Sequence, residues 1–334
     1  GKKEVTLTDA RQRTVNYLRI SVTDRCNLRC LYCSSQDKEF IPHAAILRYE
    51  ELFEILGIAQ GLGINKVRFT GGEPFARRGF PEFVAGVLER FPGLDVRITT
   101  NATLLAPHLG YLRDHGLERL NISLDTLDPA TFARVTGQDL FGTVRENILK
   151  AVDLGFSVKI NAVAMKGIND RELGAFLDFL RVHPVDVRFI EFMPMGGSDW
   201  RPEAVWTAAE ILEQARGLAE LTPLPRGGSD DGPARVFSVA GARGRFGLIS
   251  PLTDHFCGTC NRLRLTADGR LRTCLFSDRV YRLKGLLRHP RLGPEAVHKV
   301  ILLASARKPL GHDILLARAK GSGVCGTPMS AIGG

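Results

Sequence analysis

The chain has 334 residues and a formal net charge of +9, and 44% of its residues are hydrophobic. That length supports one large core, or a large domain with a smaller companion. No window holds ~18 unbroken apolar residues, which excludes a helical membrane span. The opening Gly1-Lys2-Lys3-Glu4 leads into polar residues, so no secretory signal is expected there, and a first residue that is not Met leaves room for an upstream segment. The cationic excess fits either an Arg-rich surface or an anionic ligand such as a nucleotide, phosphate or nucleic acid, and the placement of the charges must decide.

In chain order, six β-like runs alternate with helical patterns. Strands are expected at Tyr17–Val22, Lys66–Thr70, Val96–Thr100, Leu120–Leu124, Val158–Val163 and Val187–Phe192. Between them, Leu52, Ile55, Leu56 and Ala59 recur at the spacing of one buried helix stripe, as do Phe83, Val84, Val87 and Leu88. Val144, Ile148 and Val152 mark another stripe. Leu173, Phe176, Leu177 and Leu180 mark the next, preceded by Asn169 and Glu172 at capping-box spacing. Alternating strands and helices imply parallel pairing with right-handed crossovers. Six units are too few for a closed eight-stranded barrel, so an incomplete barrel or an open sheet is expected.

The strands do not read as the unbroken apolar runs of parallel strands covered on both faces. Leu18, Ile20 and Val22 alternate with Arg19, Ser21 and Thr23, and Lys66 and Arg68 share a face opposite Val67 and Phe69. Arg97 and Thr99 oppose Val96 and Ile98, Asn121 and Ser123 oppose Leu120 and Ile122, and Lys159 and Asn161 oppose Val158 and Ile160. Arg188 lies between Val187 and Phe189. Side chains alternate faces along a strand, so the apolar face meets the helices and the cationic face looks into a lumen. Burying so many charges dry would be prohibitive, which makes the lumen a wet cavity for an anionic ligand. A sheet with one face in bulk solvent is the alternative.

Past residue 200 the pattern changes. Residues 225–235 read as a loop, Asp268-Gly269 as a hairpin turn between Arg262–Thr266 and Arg270–Cys274, and 294–306 as a helix. Gly321 to Gly334 is Gly-rich without an apolar period, which by composition alone is a disordered terminus. The division falls at 1–200 and 201–334.

Seven cysteines form two groups, 26/30/33 and 257/260/274, with Cys325 apart. In a chain of this size without a secretory signal, such groups favour metal over disulfides. Cys26, Cys30 and Cys33 form a C-x3-C-x2-C run directly after the first strand. Three thiolates of one loop can hold three irons of a [4Fe–4S] cube and leave the fourth open to an outside ligand. Zinc would need a fourth ligand, for which His43 is the close candidate. Gly71-Gly72-Glu73-Pro74 follows the second strand, where glycines let backbone approach a ligand. Cys257, Cys260 and Cys274 suit a zinc ribbon completed by Cys325, or a second [4Fe–4S] cube with an open iron. Arg262 and Arg264 share a strand face beside them, so two guanidinium groups project together.

Cys26–Cys33 together with Gly71–Pro74 resembles the radical S-adenosylmethionine superfamily. Both cysteine groups, the run Phe256–Arg264 and the terminal Ile332-Gly333-Gly334 narrow the likeness to the GTP 3′,8-cyclase family of molybdenum cofactor biosynthesis, from about Leu18 to Gly334. The resemblance implies an incomplete (β/α)6 TIM-like barrel with a C-terminal β-rich extension that carries a second cluster. It implies that Cys26, Cys30 and Cys33 hold a [4Fe–4S] cluster that binds S-adenosylmethionine, with Tyr32, Gly72, Ser123 and Met193 around the cofactor. Cys257, Cys260 and Cys274 would hold a [4Fe–4S] cluster that meets the substrate. By position, GTP residues would be Arg19, Lys66, Arg68, Thr99, Lys159, Arg262, Leu263 and Arg264. Arg188, Arg262, Arg264, Gly333 and Gly334 would serve catalysis. The implied reaction is a lyase-type cyclisation: an adenosyl radical removes the ribose 3′ hydrogen, and the carbon radical attacks C8 of guanine. The implied setting is a cytoplasmic homodimer with an electron donor and a downstream cyclic pyranopterin monophosphate synthase, and neither membrane nor nucleic acid. One departure is visible: the family usually has Gly where this chain has Ala102. If that position needs φ > 0, Ala costs roughly 1 kcal/mol there.

Two rivals are open. A peptide-modifying radical enzyme with an auxiliary cluster leaves the paired arginines unexplained. A zinc-ribbon RNA-binding protein should carry base-stacking aromatics, a pattern this chain lacks.

Overall fold

The computed structural model describes residues 6–33, 39–195, 198, 200–226, 232–254, 258, 260–311, 313–314 and 332. Cys257, Cys325, Gly333 and Gly334 lie outside the described residues. The chain begins with a short antiparallel pair, β1 (Leu7–Thr8) and β2 (Thr14–Val15). The main repeat follows: β3 (Tyr17–Ser21), α1 (Tyr49–Gly61), β4 (Lys66–Thr70), α2 (Phe80–Arg90), β5 (Asp95–Thr100), α3 (Leu109–Asp114) and β6 (Arg119–Ser123). It continues with α4 (Pro129–Thr136), α5 (Phe141–Asp153), β7 (Ser157–Ala164), α6 (Leu173–Val182) and β8 (Val185–Glu191). The remainder is α7 (Ala208–Leu218), β9 (Leu221–Pro223), β10 (Arg235–Val239), β11 (Arg245–Ile249), β12 (Arg262–Leu265), β13 (Arg270–Arg272), β14 (Tyr281–Arg282), α8 (Lys284–Arg288) and α9 (Gly293–Ala306).

Strands β3 to β8 lie side by side in chain order, every neighbouring pair parallel. These are the six units expected from the alternating pattern. The extension then adds to both edges: β12 pairs parallel with β3, and β11 pairs parallel with β8. Antiparallel β13 and β14 continue beyond β12, and β10 and β9 beyond β11. Strands β11 and β12 do not pair with each other, so the barrel stays open. The twelve-stranded sheet runs unbroken across residue 200. No helix among the described residues is long and apolar enough to cross a membrane.

Period-two alternation decides which face packs. Leu18, Ile20, Val67, Phe69, Ile98, Leu120, Ile122, Ile160 and Val187 are all buried beneath the helices. The helix stripes meet them: Leu52, Ile55, Leu56 and Ala59 of α1, and Leu173, Phe176, Leu177 and Leu180 of α6, are buried throughout. Phe69 of β4 meets Phe83 and Phe80 of α2 edge-on at 5.1 and 6.1 Å, and Phe189 of β8 meets Phe176 at 5.2 Å and Trp206 at 5.6 Å. At the N-terminal strand ends, ion pairs close the lumen. Asp95 holds Arg97 at 2.9 Å and Arg119 at 3.2 Å, and Asp186 holds Arg245 at 2.6 Å.

One local expectation changes. Asn169 and Glu172 do not form a capping box, because α6 starts at Leu173 with no side-chain cap. Asn169 is fully buried; it accepts from the Met165 N–H at 2.9 Å and donates to the Asp125 and Val163 carbonyls, both at 2.8 Å. Glu172 accepts from the Thr126 hydroxyl at 2.7 Å and the Leu127 N–H at 2.8 Å. Both side chains tie the loops after β6 and β7 together, a tertiary use that displaces the local one. Ala102, by contrast, does adopt the left-handed conformation, with φ at +64°. Its N–H donates to Thr100 Oγ1 at 3.1 Å and its carbonyl accepts from Asn147 Nδ2 at 2.8 Å.

Candidate active site

The polar strand faces and the loops at the C-terminal strand ends enclose a cavity of about 1340 Å³. Cys26, Cys30 and Cys33 border it from the loop after β3, and Cys260 and Cys274 from either end of the β12–β13 hairpin. None of these five is in a disulfide.

The first cysteine loop is seated on Gly71 and Gly72. The Gly72 N–H donates to the Thr23 carbonyl and the Glu73 N–H to the Arg25 carbonyl, both at 2.8 Å. A Cβ on Gly72 would fall 2.2 Å from the Arg25 oxygen, and one on Gly71 would fall 2.5 Å from the Thr23 oxygen. Only glycine lets the two loops run this close. Glu73 beneath them accepts from the Thr100 hydroxyl at 2.7 Å and the Asn101 N–H at 2.7 Å. Cys26 Sγ accepts from the Leu28 N–H at 3.4 Å and Asn101 Nδ2 at 3.6 Å. Burial still pushes its thiol up to about 11. Cys30 rises well above the usual thiol range through its hydrogen bond with Cys33 and through burial. A metal that these sulfurs hold must take them as thiolates, displacing the proton that burial favours.

Among the described residues, no three Cys, His, Asp or Glu side chains converge as ligands of one ion would. A mononuclear zinc needs its ligands to meet at one centre. A cube gives each thiolate its own iron, so three thiols spread along one loop at the cavity edge fit it. Further into the cavity, Thr99 Oγ1 and Asn161 Oδ1 are buried with no hydrogen-bond partner among the described residues. Such atoms fit a polar ligand.

Tyr32, Gly72, Ser123 and Met193 all border the same cavity as the three cysteines. The Tyr32 hydroxyl donates to Asp125, which also accepts from the Val163 N–H at 2.8 Å. Burial pushes the Asp125 carboxyl up to about 6, against those two hydrogen bonds. Deeper in, Arg19, Lys66, Arg68 and Arg188 look in from the barrel strands, and Arg262 and Arg264 from β12. The Asn121 amide oxygen accepts from Arg68 Nη2 at 2.8 Å once the amide is oriented to suit the guanidinium.

Crowded cations alter one another. Burial lowers Arg264 to about 10, with Arg262 adding to the effect, and lowers Lys66 to about 8, with Arg97 adding to it. Burial would raise the Tyr17 phenol, but Arg68, Arg19, Arg262 and Lys66 together bring it down to about 7. The surroundings therefore favour negative charge.

Two expected residues are not among those that border the cavity. Leu263 is 1% exposed, in register with Leu18 and packed in the core, because the alternation that turns Arg262 and Arg264 inward turns Leu263 outward. Its side chain does not meet the lumen. Lys159 is buried between Asn121 and Asp186 in register, and Asn161, two residues on, borders the cavity instead. Cys257, Gly333 and Gly334 lie outside the described residues. Ile332, beside those glycines, is fully buried against Met195 and Phe276, with Met193 and Cys274 around it.

The fold also brings in residues that the sequence patterns did not single out. Tyr17 borders the cavity, and its odd-numbered place beside Arg19 was a legible signal. Lys308 had no such signal. Its ammonium donates to the Thr273 carbonyl, while Arg13 Nη2 donates to the Lys308 and Pro309 carbonyls, both at 2.9 Å.

Residues 20–180 match the Radical SAM superfamily, and residues 185–314 match Molybdenum Cofactor Synthesis C. A GTP 3′,8-cyclase of Thermodesulfovibrio yellowstonii is 42% identical over 333 residues, spanning 98% of this chain and 100% of that protein. A GTP 3′,8-cyclase of Heliobacterium modesticaldum is 42% identical over 335 residues with the same coverage. In fold, Streptococcus suis SuiB bound to S-adenosylmethionine superposes with a TM-score of 0.62 at 15% identity, covering 85% of this chain and 68% of that one. The open parallel barrel, the cysteine loop at its mouth and near-complete alignment with these relatives lead to one conclusion: the chain belongs to the GTP 3′,8-cyclase family, within the radical S-adenosylmethionine superfamily.

Proposed function

We propose that this enzyme joins C3′ of GTP to C8 of its guanine, forming (8S)-3′,8-cyclo-7,8-dihydroguanosine 5′-triphosphate. The observation that carries this reading is the lumen, where Arg19, Lys66, Arg68, Arg188, Arg262 and Arg264 border the same cavity as both cysteine groups. Arginine forks suit phosphate oxygens, and a triphosphate is the anion such a cluster fits. Cys26, Cys30 and Cys33 would hold the cluster, with Tyr32, Gly72, Ser123 and Met193 flanking S-adenosylmethionine. When bound, the cluster supplies the electron that splits the sulfonium.

The protein's own task is then positional. Holding ribose and base in one pose turns a strained coupling into a unimolecular step. Arg262 and Arg264, adjacent in sequence to Cys260, would hold the nucleotide end that faces the hairpin. Arg19, Lys66, Arg68, Arg188 and Thr99 would hold it from the barrel, with Lys159 beneath. A second [4Fe–4S] cluster on Cys257, Cys260 and Cys274 belongs to the same reading. In support, Cys260 and Cys274 border the cavity, and Lys308, Arg262 and Arg264 draw the Cys260 thiol down to about 7 against its burial. Gly333 and Gly334 would enter the lumen from Ile332, which is anchored beside Met193 and Cys274. The wider setting is a cytoplasmic homodimer, divided near residue 200 into barrel and extension, served by an electron donor. Its product would pass to a cyclic pyranopterin monophosphate synthase.

Anaerobic reconstitution tests the clusters: two cubes require about eight irons per chain. A protein with Arg262→Ala and Arg264→Ala should lose at least about tenfold in GTP affinity while S-adenosylmethionine binding is spared. Unchanged GTP affinity and turnover in that double variant would overturn the assignment.

A further inference from the structure

Tyr17 opens β3 and is 4% exposed, and the alternation that turns Arg19 into the lumen turns Tyr17 there too. Its register neighbours are Arg262 on β12 and Lys66 on β4. Lys66 Nζ lies 4.9 Å from the ring centroid, Arg262 Cζ 5.7 Å and Arg68 Cζ 5.8 Å. All three fall within the ~6 Å reach of a cation–π contact. One buried ring therefore serves cations from two different strands on either side of it.

The lumen treats its cations in two ways. At the N-terminal strand ends, carboxylates neutralise them, as Asp95 does for Arg97 and Arg119. At Tyr17 an aromatic face adds to the holding: Lys66 also lies in register with Asp95, and Arg68 also donates to the Asn121 amide. The chemical difference matters. A carboxylate cancels the charge of the guanidinium it pairs with, whereas a ring face attracts the cation and leaves its charge in place. It also offsets part of the repulsion among like charges a few ångströms apart.

We propose that Tyr17 is a specificity-determining residue, its ring the platform that sets Lys66, Arg68 and Arg262 for the phosphate groups of the nucleotide. This rests on the GTP reading above and deepens it. The phenol hydroxyl is not required; the ring face is.

The test is calorimetric titration of the anaerobic, cluster-loaded enzyme with GTP, inorganic tripolyphosphate and guanosine in turn. Tyr17→Leu should weaken GTP and tripolyphosphate by about tenfold or more, the effect of losing desolvated cation–π contacts. Guanosine binding, S-adenosylmethionine binding and iron content should stay at the wild-type level. Tyr17→Phe should keep GTP affinity within about threefold of wild type. If wild type binds neither GTP nor tripolyphosphate, the GTP reading fails and this one with it. If wild type binds GTP and Tyr17→Leu binds it equally well, the Tyr17 inference alone fails. It also fails if Tyr17→Phe loses as much as Tyr17→Leu, or if guanosine binding falls in the same proportion. Should Tyr17→Leu not fold, Tyr17→Met, flexible and without a ring, takes its place in each comparison.

Discussion

Replacing Gly72 with Ala tests the contact that seats the first cysteine loop. The added methyl carbon would lie 2.2 Å from the Arg25 carbonyl oxygen, 2.5 Å from its carbon and 3.0 Å from the Asp24 oxygen. All three are backbone atoms, so no side-chain rotation relieves the clash. Ordinary contact would require the loops to part by about 1 Å. Parting stretches the Gly72-to-Thr23 and Glu73-to-Arg25 hydrogen bonds, now both 2.8 Å. Overpacking of this kind costs about 1–3 kcal/mol and each lost hydrogen bond about 1 kcal/mol. The reduced backbone entropy of unfolded Ala offsets about 0.5–1 kcal/mol. The net loss is about 2–4 kcal/mol, worth roughly 3–6 °C in melting temperature for a chain of this size. The displaced backbone leads straight into Cys26, so cluster loading should suffer more than the fold. Thermal unfolding of metal-free protein, paired with iron content and electron paramagnetic resonance after reconstitution, separates the two effects. Gly110→Ala is the control, since its Cβ would meet nothing within 4 Å. A Gly72→Ala protein that melts with wild type and loads the first cluster fully would refute this account of the glycine.

Other outcomes follow from the same geometry. Arg288 is the main cause that holds the Glu51 carboxyl at about 2, through contacts of 2.8 and 2.9 Å that tie α8 to α1. Because the folded value lies below the unfolded 4.5, this stability is present above that pH and is lost as the pH falls toward 2. Glu51→Gln should cost about 2 kcal/mol at neutral pH, after allowance for the partly exposed Arg288, and should flatten the acid limb of urea-measured stability. Equal acid limbs in both proteins would contradict it. Ala102→Gly relieves a left-handed backbone worth about 1–2 kcal/mol but adds chain entropy and empties a methyl site worth about 0.8 kcal/mol. Its denaturation midpoint should therefore barely move, while Ala102→Val, branched and buried at positive φ, should fall clearly below it. Deleting Gly333 and Gly334 should leave folding and GTP affinity near wild type while cyclised product collapses and 5′-deoxyadenosine still forms. Product at the full-length rate would show that the tail plays no part in the chemistry.

Signals that are local or periodic are legible in the amino-acid sequence by itself. Arg19 beside Leu18 and Ile20, and Arg68 beside Val67 and Phe69, belong to the alternation that marks six strands and tells the helix side from the lumen side, because a period of two ties burial to position. The cysteine spacings, the Gly71-Gly72 turn and the Asp268-Gly269 hairpin are equally short-range. Other features depend on segments that meet only after folding. No window of sequence shows that β12 docks beside β3 while β11 docks beside β8. Asn169 and Glu172 carry a helix-cap signature, yet the loop after β6, in a neighbouring unit, claims both side chains. Lys308 reaches the Cys274 loop across 35 residues of chain, and Arg262 reaches Tyr17 from the far end of the molecule's sequence. Pairing of that kind is decided by which surfaces bury together, a property of the assembled core that short-range pattern does not encode.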